Sequence, residues 1–505
     1  MTNPLYDHLF GRHAGSTAPF LILSDGQEIS YDAFLRETAR VAHVLSDAGL
    51  QPGDRLAAQI HKSTQALSLY AACAQTGVVF LPLNTAYTAP ELAYFIENSA
   101  ARMVVCDAAV QELLTPIAHG LAAQVETLNA NGGGSLMDQA SGKPDKFDTV
   151  ARDAGDLAAF LYTSGTTGRS KGAMLTQDNL LSNAETLKDY WHFTEDDVLL
   201  HALPIFHTHG LFVATNTLLL VGGSMIFLPK FDGAEVIRLL PRATSMMGVP
   251  TFYTRLLDRS DFNADLTRHM RLFISGSAPL LAETHAAFEA RTGHRILERY
   301  GMTETNMNTS NPYYGDRRAG TVGFPLPGVE LKVTDAETGR ELPSGEIGQI
   351  EVRGPNVFKG YWKMPDKTAE ELRADGFFIT GDLGRVDADG YVIIVGRNKD
   401  LIISGGYNIY PKEIELVLDD QPGVLESAVI GVPHPDFGET TVAVIVPERG
   451  QRLDLSAIEE ATAAALARFK HPRKFILLDE LPRNTMGKVQ KNILRDDHKN
   501  LFKTA

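Results

Sequence analysis

The sequence predicts an α/β protein. A large N-terminal domain of parallel α/β sheets carries a small β-rich subdomain, and a small α+β C-terminal domain follows. Three features predict this. Short apolar strands alternate with helical stretches over most of the chain, the grammar of parallel sheets. From about Val329 the texture changes to short β segments between glycine turns. After Arg397 the chain carries β and α signals of its own. At 505 residues it is too long for one ordinary core, so roughly two to four domains or subdomains are expected.

The elements follow in order. DRLAAQI at 54–60 reads as a strand, and KSTQALSLYAACAQTG at 62–77 as a helix closed by glycine. VVFLPLN at 78–84 and ARMVVCD at 101–107 are further strands. The polar, glycine-rich segment NANGGGSLMDQASGKPDKFDT has the composition of a loop. DLAAFLYT then runs into TSGTTGRSKG, and strands resume with MIFLPKF, TSMMGVP and RLFISGSAPL. ELKVTD, GQIEVRG and GYVIIVGR form the β-rich subdomain, 329–397, within an N-terminal domain spanning 1–397. The C-terminal domain, 398–505, contains a helix at 411–420, strands SAVIGVP and TVAVIVP, and a helix at 455–467.

Composition excludes several classes. A formal net charge of −15 makes a poor general nucleic-acid binder and repels anionic membranes. Any phosphate ligand must therefore be held by local groups. Two cysteines, Cys73 and Cys106, exclude a disulfide framework and sit in apolar runs as buried thiols. No secretory h-region and no run of about 18 apolar residues occurs, so a cytoplasmic enzyme without a membrane partner is expected.

TSGTTGRSKG, at 163–172, is built for phosphate. Glycine lets the backbone approach a ligand closely, and successive N–H groups form an anion nest. The spacing is not that of a P-loop, because no Gly-Lys-Ser/Thr occurs. Taken alone, the stretch also reads as a flexible surface loop. ERYGMTET at 298–305 offers an aromatic face at Tyr300 beside Gly301, and Glu304 is a hard oxygen ligand suited to Mg²⁺ beside substrate phosphates. SGSAPL at 275–280 is a small-residue turn with room for a flat ligand. In TGDLGRVDADGYVIIVGR, Asp382 can accept hydrogen bonds from ribose hydroxyls, with Arg397 nearby. Lys488 follows Thr-Met-Gly in LPRNTMGK on an exposed turn. Each of these alone also reads as an ordinary polar turn or a solvated charge.

Together and in this order, YTSGTTGRSKGAMLT, LPIFHTHG, YGMTE, TGD, GYVIIVGRNKDLIISGGYNIYPKEIE and LPRNTMGK resemble the acyl- and aryl-CoA synthetases of the adenylate-forming (AMP-binding) superfamily. The matching motifs span 162–488. The resemblance implies two half-reactions. A carboxylate attacks the α-phosphorus of ATP and releases pyrophosphate; the thiol of coenzyme A then attacks the acyl carbon and releases AMP. It also implies roles. Thr163, Ser164, Gly165, Thr166, Thr167 and Gly168 would face the leaving pyrophosphate, with Lys171 adding charge. Gly276, Ser277, Ala278, Glu298, Arg299, Tyr300 and Gly301 would frame adenine, and Thr303 would contact the α-phosphate. Glu304 would hold Mg²⁺, Asp382 the ribose with Arg397 beside it, and Lys488 the carboxylate and α-phosphate. The C-terminal domain would be mobile, with Lys399 at its hinge and Gly405 and Gly406 lining the pantetheine tunnel. Lys488 also resembles the superfamily's reversible acetylation site, which implies a lysine acetyltransferase and deacetylase as partners.

For the acid, His207 lies where the superfamily places a His or aromatic residue beside the carboxylate. Arg242 precedes ATSMMGVP, expected to line the acyl pocket, where a buried arginine needs an anion. The alternative is an arginine at a helix end reaching solvent. Met307 would narrow the cavity. Arg242, His207, Ser277 and Met307 together resemble the malonyl-CoA synthetase branch, implying malonate, with methylmalonate as a second substrate. The alternative acids are aryl or medium-chain monocarboxylates. His201, His207 and His209 lack the further ligands a metal site needs. A carrier-dependent adenylation module and a non-catalytic nucleotide sensor are the other classes weighed. The first would need a carrier-domain serine motif, and the second has no use for Lys488.

Overall fold

The computed structural model describes residues 3–163, 170–404, 407–484 and 487–502. It separates into two compact units. The first comprises Met1–Ala319, Gly323–Glu330 and Val352–Phe378; the second comprises Gly320–Val322, Leu331–Glu351 and Ile379–Ala505.

Two sheets build the first unit. The smaller runs Gln124–Thr127, Met103–Cys106, Arg55–Gln59, Val79–Pro82, Leu157–Thr163 and Lys171–Thr176. Its pairs are parallel except the last, a hairpin from Leu157–Thr163 to Lys171–Thr176. The inner strands Val79–Pro82 and Met103–Cys106 are buried along their whole length. That is why they read as unbroken apolar runs rather than alternating ones. Helix Thr64–Thr76 covers this layer. The Ser63 hydroxyl caps its start, accepting from the Ala66 N–H at 3.1 Å, and Gly77 ends it at φ 75°.

The larger sheet runs Phe324–Pro325, Asn306–Ser310, Leu297–Met302, Leu272–Ser275, Ser245–Gly248, Val198–His201, Ser224–Phe227, Pro19–Ile22 and Glu28–Ser30. Strands from Leu297–Met302 to Pro19–Ile22 are mutually parallel, and the edges are antiparallel. Their carboxyl ends therefore open on one side, where an open parallel sheet binds ligands.

One expected loop is partly helical. Within the glycine-rich segment, Ser135–Ala140 forms a short helix because Leu136 and Ala140, four residues apart, bury on one face. Cys73 and Cys106 are buried and unbridged, as expected.

Most residues of the sheet Glu330–Thr334, Gly348–Arg353, Phe378–Val386 and Val392–Arg397 belong to the second unit. A second sheet takes in Ile402–Ser404, Tyr407–Ile409, Val424–His434, Gly438–Pro447 and Lys474–Leu477. Ile414 and Leu418 of helix Pro411–Asp419 pack on this sheet with Val429 and Ile445. The same helix contacts strand Val392–Arg397. The β-rich segment thus groups with the C-terminal residues, whereas the sequence placed it within 1–397. No helix among the described residues is long and apolar enough to cross a membrane.

Candidate functional site

Parallel register lines up the strand ends in the larger sheet. His201 lies opposite Met247, Gly248 opposite Ser275, and Ser275 opposite Glu298. The chain leaves Ser275 through Gly276 and Ser277. A Cβ on Gly276 would meet the Arg299 Cζ at 2.3 Å, so only glycine lets the guanidinium pass. Ser277 takes a positive φ of 71°, uncommon for a non-glycine residue and the kind of strain found at binding sites. Its Oγ lies 3.2 Å from the His209 Nδ1.

Arg299 is the unusual group. It is 3% exposed, and its Nε and Nη2 are buried without a hydrogen-bond partner. Burial lowers its pKa to about 9, opposed by Tyr253 and Glu298. Burial, then Arg299 and His207, also push His209 well below the ordinary histidine range, so its imidazole is neutral. A buried guanidinium with two unsatisfied donors, next to a neutral histidine and a glycine gap, has the chemistry to receive an anion.

The hairpin Leu297–Met302 to Asn306–Ser310 ties in the histidine loop. The Thr208 hydroxyl donates to the Asn306 Oδ1 at 2.9 Å. The His209 N–H donates to the His207 Nδ1 at 3.4 Å. Met307 is fully buried, and its Cε would lie 2.6 Å from a Cβ on Gly301. The Met307 carbonyl accepts from Asn183 at 3.1 Å. Tyr300, Gly301 and Thr303 are half-buried on the same hairpin, and Ala278 on the turn beyond Ser275. Glu298 is buried, its Oε1 3.5 Å from the Leu280 N–H.

A second cluster surrounds Glu304, which is 5% exposed. The Tyr361 hydroxyl lies 3.0 Å from the Glu304 Oε1 and 2.6 Å from the Glu371 Oε2. Lys171, expected to face phosphate, pairs with Glu371 at 3.1 Å and lies 3.1 Å from the Tyr361 hydroxyl. Burial works to raise the Glu371 carboxyl, but hydrogen bonds from Tyr361, Lys367 and Lys171 outweigh it and hold it below the ordinary range. Burial, then Glu304 and Glu371, push the Tyr361 phenol up, so it stays protonated. Two carboxylates at one phenol are a hard oxygen set that fits Mg²⁺ held jointly with substrate phosphates. Among the described residues, no group of three or more His, Cys, Asp or Glu side chains is placed to hold a metal ion. The Thr163 hydroxyl donates to the Lys171 carbonyl at 3.5 Å. Ser164, Gly165, Thr166, Thr167 and Gly168 lie outside the described residues, as do Gly405 and Gly406.

In the second unit, strand pairing sets Asp382 opposite Arg397, with Oδ1 to Nε at 2.7 Å. Lys399 sits in the 3₁₀ turn Asn398–Asp400, where burial lowers its pKa. Lys488 is exposed, and its backbone N–H donates to the Asn484 Oδ1 at 3.0 Å.

Arg242 departs from expectation. It ends the 3₁₀ turn Leu240–Arg242, its side chain is 43% exposed, and it pairs with Glu28 at 3.0 Å. The turn points it to solvent, the alternative weighed from sequence, so it does not line a buried acyl pocket. Tyr361, Glu371 and His209 were missed as site residues. Tyr361 and Glu371 stand 190 and 200 positions from Lys171, beyond any local pattern.

Comparison with known proteins identifies the family. The AMP-binding enzyme family matches residues 10–362, and the AMP-binding enzyme C-terminal domain matches 413–488. A malonate–CoA ligase of Arabidopsis thaliana is 36% identical over 84% of this chain and 75% of its own. A feruloyl-CoA synthase of an Amycolatopsis species is 36% identical over 93% of this chain and 94% of its own. The crystal structure of ATP-bound MatB from Rhodopseudomonas palustris covers 100% of both chains at 58% identity, with a TM-score of 0.98. Two family models that together match most of the length, and relatives aligned over most of both chains, show that the chain belongs to the AMP-binding enzyme family.

Proposed function

We propose that the protein is an AMP-forming acid–CoA ligase whose acid is malonate, with methylmalonate as a second substrate. The carrying observation is Arg299, a buried guanidinium without a hydrogen-bonded anion on Nε and Nη2. A monocarboxylic acid would leave Nε and Nη2 of that guanidinium buried without a hydrogen-bond partner, which is costly. A three-carbon diacid supplies one carboxylate to Arg299, alongside Ser277 and His209, and leaves the other to react. The Arabidopsis relative's name supports the same acid.

The free carboxylate attacks the α-phosphorus of ATP, forming a malonyl-adenylate and expelling pyrophosphate. The thiolate of coenzyme A then attacks the activated carbonyl, and AMP leaves. Such chemistry needs positioning and charge compensation more than covalent help. Lys171, released from Glu371, supplies charge to the leaving pyrophosphate. Asp382 accepts from the ribose hydroxyls. Lys488 steadies the attacking carboxylate and the α-phosphate. His207 flanks the acyl group, and Met307 limits chain length. Glu304, with Glu371 near it, would hold Mg²⁺, which neutralises phosphate charge when bound. Gly405 and Gly406 would border the pantetheine arm.

The test offers malonate, methylmalonate, acetate, octanoate and 4-coumarate separately with ATP, Mg²⁺ and coenzyme A. Acyl-CoA is read by mass and pyrophosphate by a coupled assay. Malonyl-CoA as the main product supports the reading. A main product from coumarate, the outcome the feruloyl-CoA synthase relative favours, replaces malonate with an aryl acid.

A further inference from the structure

Lys62 belongs to none of the motifs above. It precedes helix Thr64–Thr76, and no ion pair joins it to a carboxylate among the described residues. Its Nζ donates to the His201 Nδ1 and to the His201 carbonyl, both at 2.8 Å, and lies 4.3 Å from the centre of the Phe227 ring. The other imidazole nitrogen, Nε2, lies 2.9 Å from the Gly210 carbonyl. That contact requires the proton on Nε2, which leaves Nδ1 as the acceptor Lys62 needs. Burial, then Lys62, push His201 well below its ordinary range, which keeps the ring neutral, and burial also lowers Lys62 well below the ordinary lysine range.

Gly210 is in a tight place. A Cβ there would lie 2.0 Å from the Pro204 carbonyl oxygen, so the chain folds back on itself between His201 and Gly210. The Gly210 carbonyl also accepts from the Thr215 hydroxyl at 2.9 Å, inside the π-helix His209–Thr215. π-Helical segments are rare and recur at functional sites. His207 and Thr208 lead into this segment, His209 is its first residue, and the Leu211 N–H donates to the His207 carbonyl at 3.1 Å.

We propose that Lys62 is a positioning residue. Through the His201 ring it clamps the Gly210 carbonyl, and so holds the loop and π-helix that present His207 and His209 to the acid. The inference rests on the acid–CoA ligase reading. It adds a specificity-determining contact that comes from the smaller sheet's side of the unit, upstream of helix Thr64–Thr76.

The test compares wild type with Lys62→Met, Lys62→Gln and Thr215→Val. The readouts are KM for malonate, KM for ATP, and long-range ¹⁵N–¹H spectra of ¹⁵N-histidine-labelled protein. His207 and His209 signals are assigned by single His→Asn variants. The expected result for Lys62→Met is a rise of about tenfold or more in the malonate KM, an ATP KM within about twofold, and displaced His207 and His209 signals. Lys62→Gln, whose amide still donates to Nδ1, recovers most of the malonate KM. Unmoved ring signals, or equal rises in both KM values without glutamine rescue, overturn the proposal. If Lys62→Met does not fold, Thr215→Val decides: a selective rise in malonate KM supports the clamp, and no change overturns it. If wild type turns over no acid, the ligase reading fails, while the histidine spectra still decide the clamp.

Discussion

Arg299 and Gly276 act as a pair. The guanidinium occupies the space that a side chain at 276 would take, at 2.3 Å from the would-be Cβ. Gly276→Ala must displace it, and a misplacement of about 1 Å at a reacting geometry can cost on the order of 100-fold. The expected result is a fall of about that size in kcat/KM for malonate, with a much smaller change for ATP, read by pyrophosphate release. Burial lowers Arg299 to about 9, which leaves it charged near neutral pH with Nε and Nη2 still to be satisfied. Lys171 shows a second kind of pairing. Glu371 holds it through two contacts of 3.1 Å, a partner that must yield when phosphate arrives.

At the scale of elements, the Glu304 cluster joins three separate segments. Lys171 comes from the second strand of a hairpin, Glu304 from the turn after strand Leu297–Met302, and Tyr361 and Glu371 from the segment leading through helix Pro365–Glu371. Glu371 titrates below its ordinary value in the folded state. A carboxyl depressed in this way adds stability that is present above its unfolded pKa, about 4.3, and is lost as pH falls through the lower folded value. Thermal melts should show wild type losing stability below about pH 4.3 more steeply than Glu371→Gln. Parallel melting curves for the two proteins across that range would exclude the linkage.

Much of these elements was legible in the sequence. Strands 79–82 and 103–106 announced themselves as unbroken apolar runs because both faces are covered. The glycine closing helix Thr64–Thr76 and the strand entering the phosphate-type loop were equally plain. What was hidden depends on contacts distant in sequence. Arg242 meets Glu28 across 214 positions, and nothing local says that its turn faces solvent. Arg299 sits inside a recognisable motif, yet the burial of its Nε and Nη2 without a hydrogen-bond partner appears only when the sheet is folded. Tyr361 and Glu371 carry no local pattern linking them to Lys171.

At the scale of the whole molecule, the proposed chemistry divides between the two half-reactions. Lys488 is exposed on its turn, as a group that engages substrate only in one step would be. Lys488→Ala is expected to abolish adenylation, by about 100-fold or more, and to spare thioester formation from supplied malonyl-adenylate. Equal losses in both would remove that role. Acetylation of Lys488 would delete the same charge, and mass spectrometry of protein isolated from cells tests whether it occurs. Lys399, in its short turn after Arg397, is the proposed hinge. Lys399→Pro fixes φ near −65° and should slow thioester formation more than pyrophosphate release, measured separately in single-turnover assays.

The malonate assignment stands or falls on Arg299. The most direct measurement is the ratio of kcat/KM for malonate to that for acetate, in wild type and in Arg299→Met, with the ATP KM as control. Removing one partner of a buried charge pair costs about 2–5 kcal/mol. Wild type should therefore favour malonate strongly, and Arg299→Met should lower that ratio by roughly 30-fold or more at an unchanged ATP KM. A ratio that is the same in both proteins would contradict the assignment and leave the buried guanidinium without the anion proposed for it.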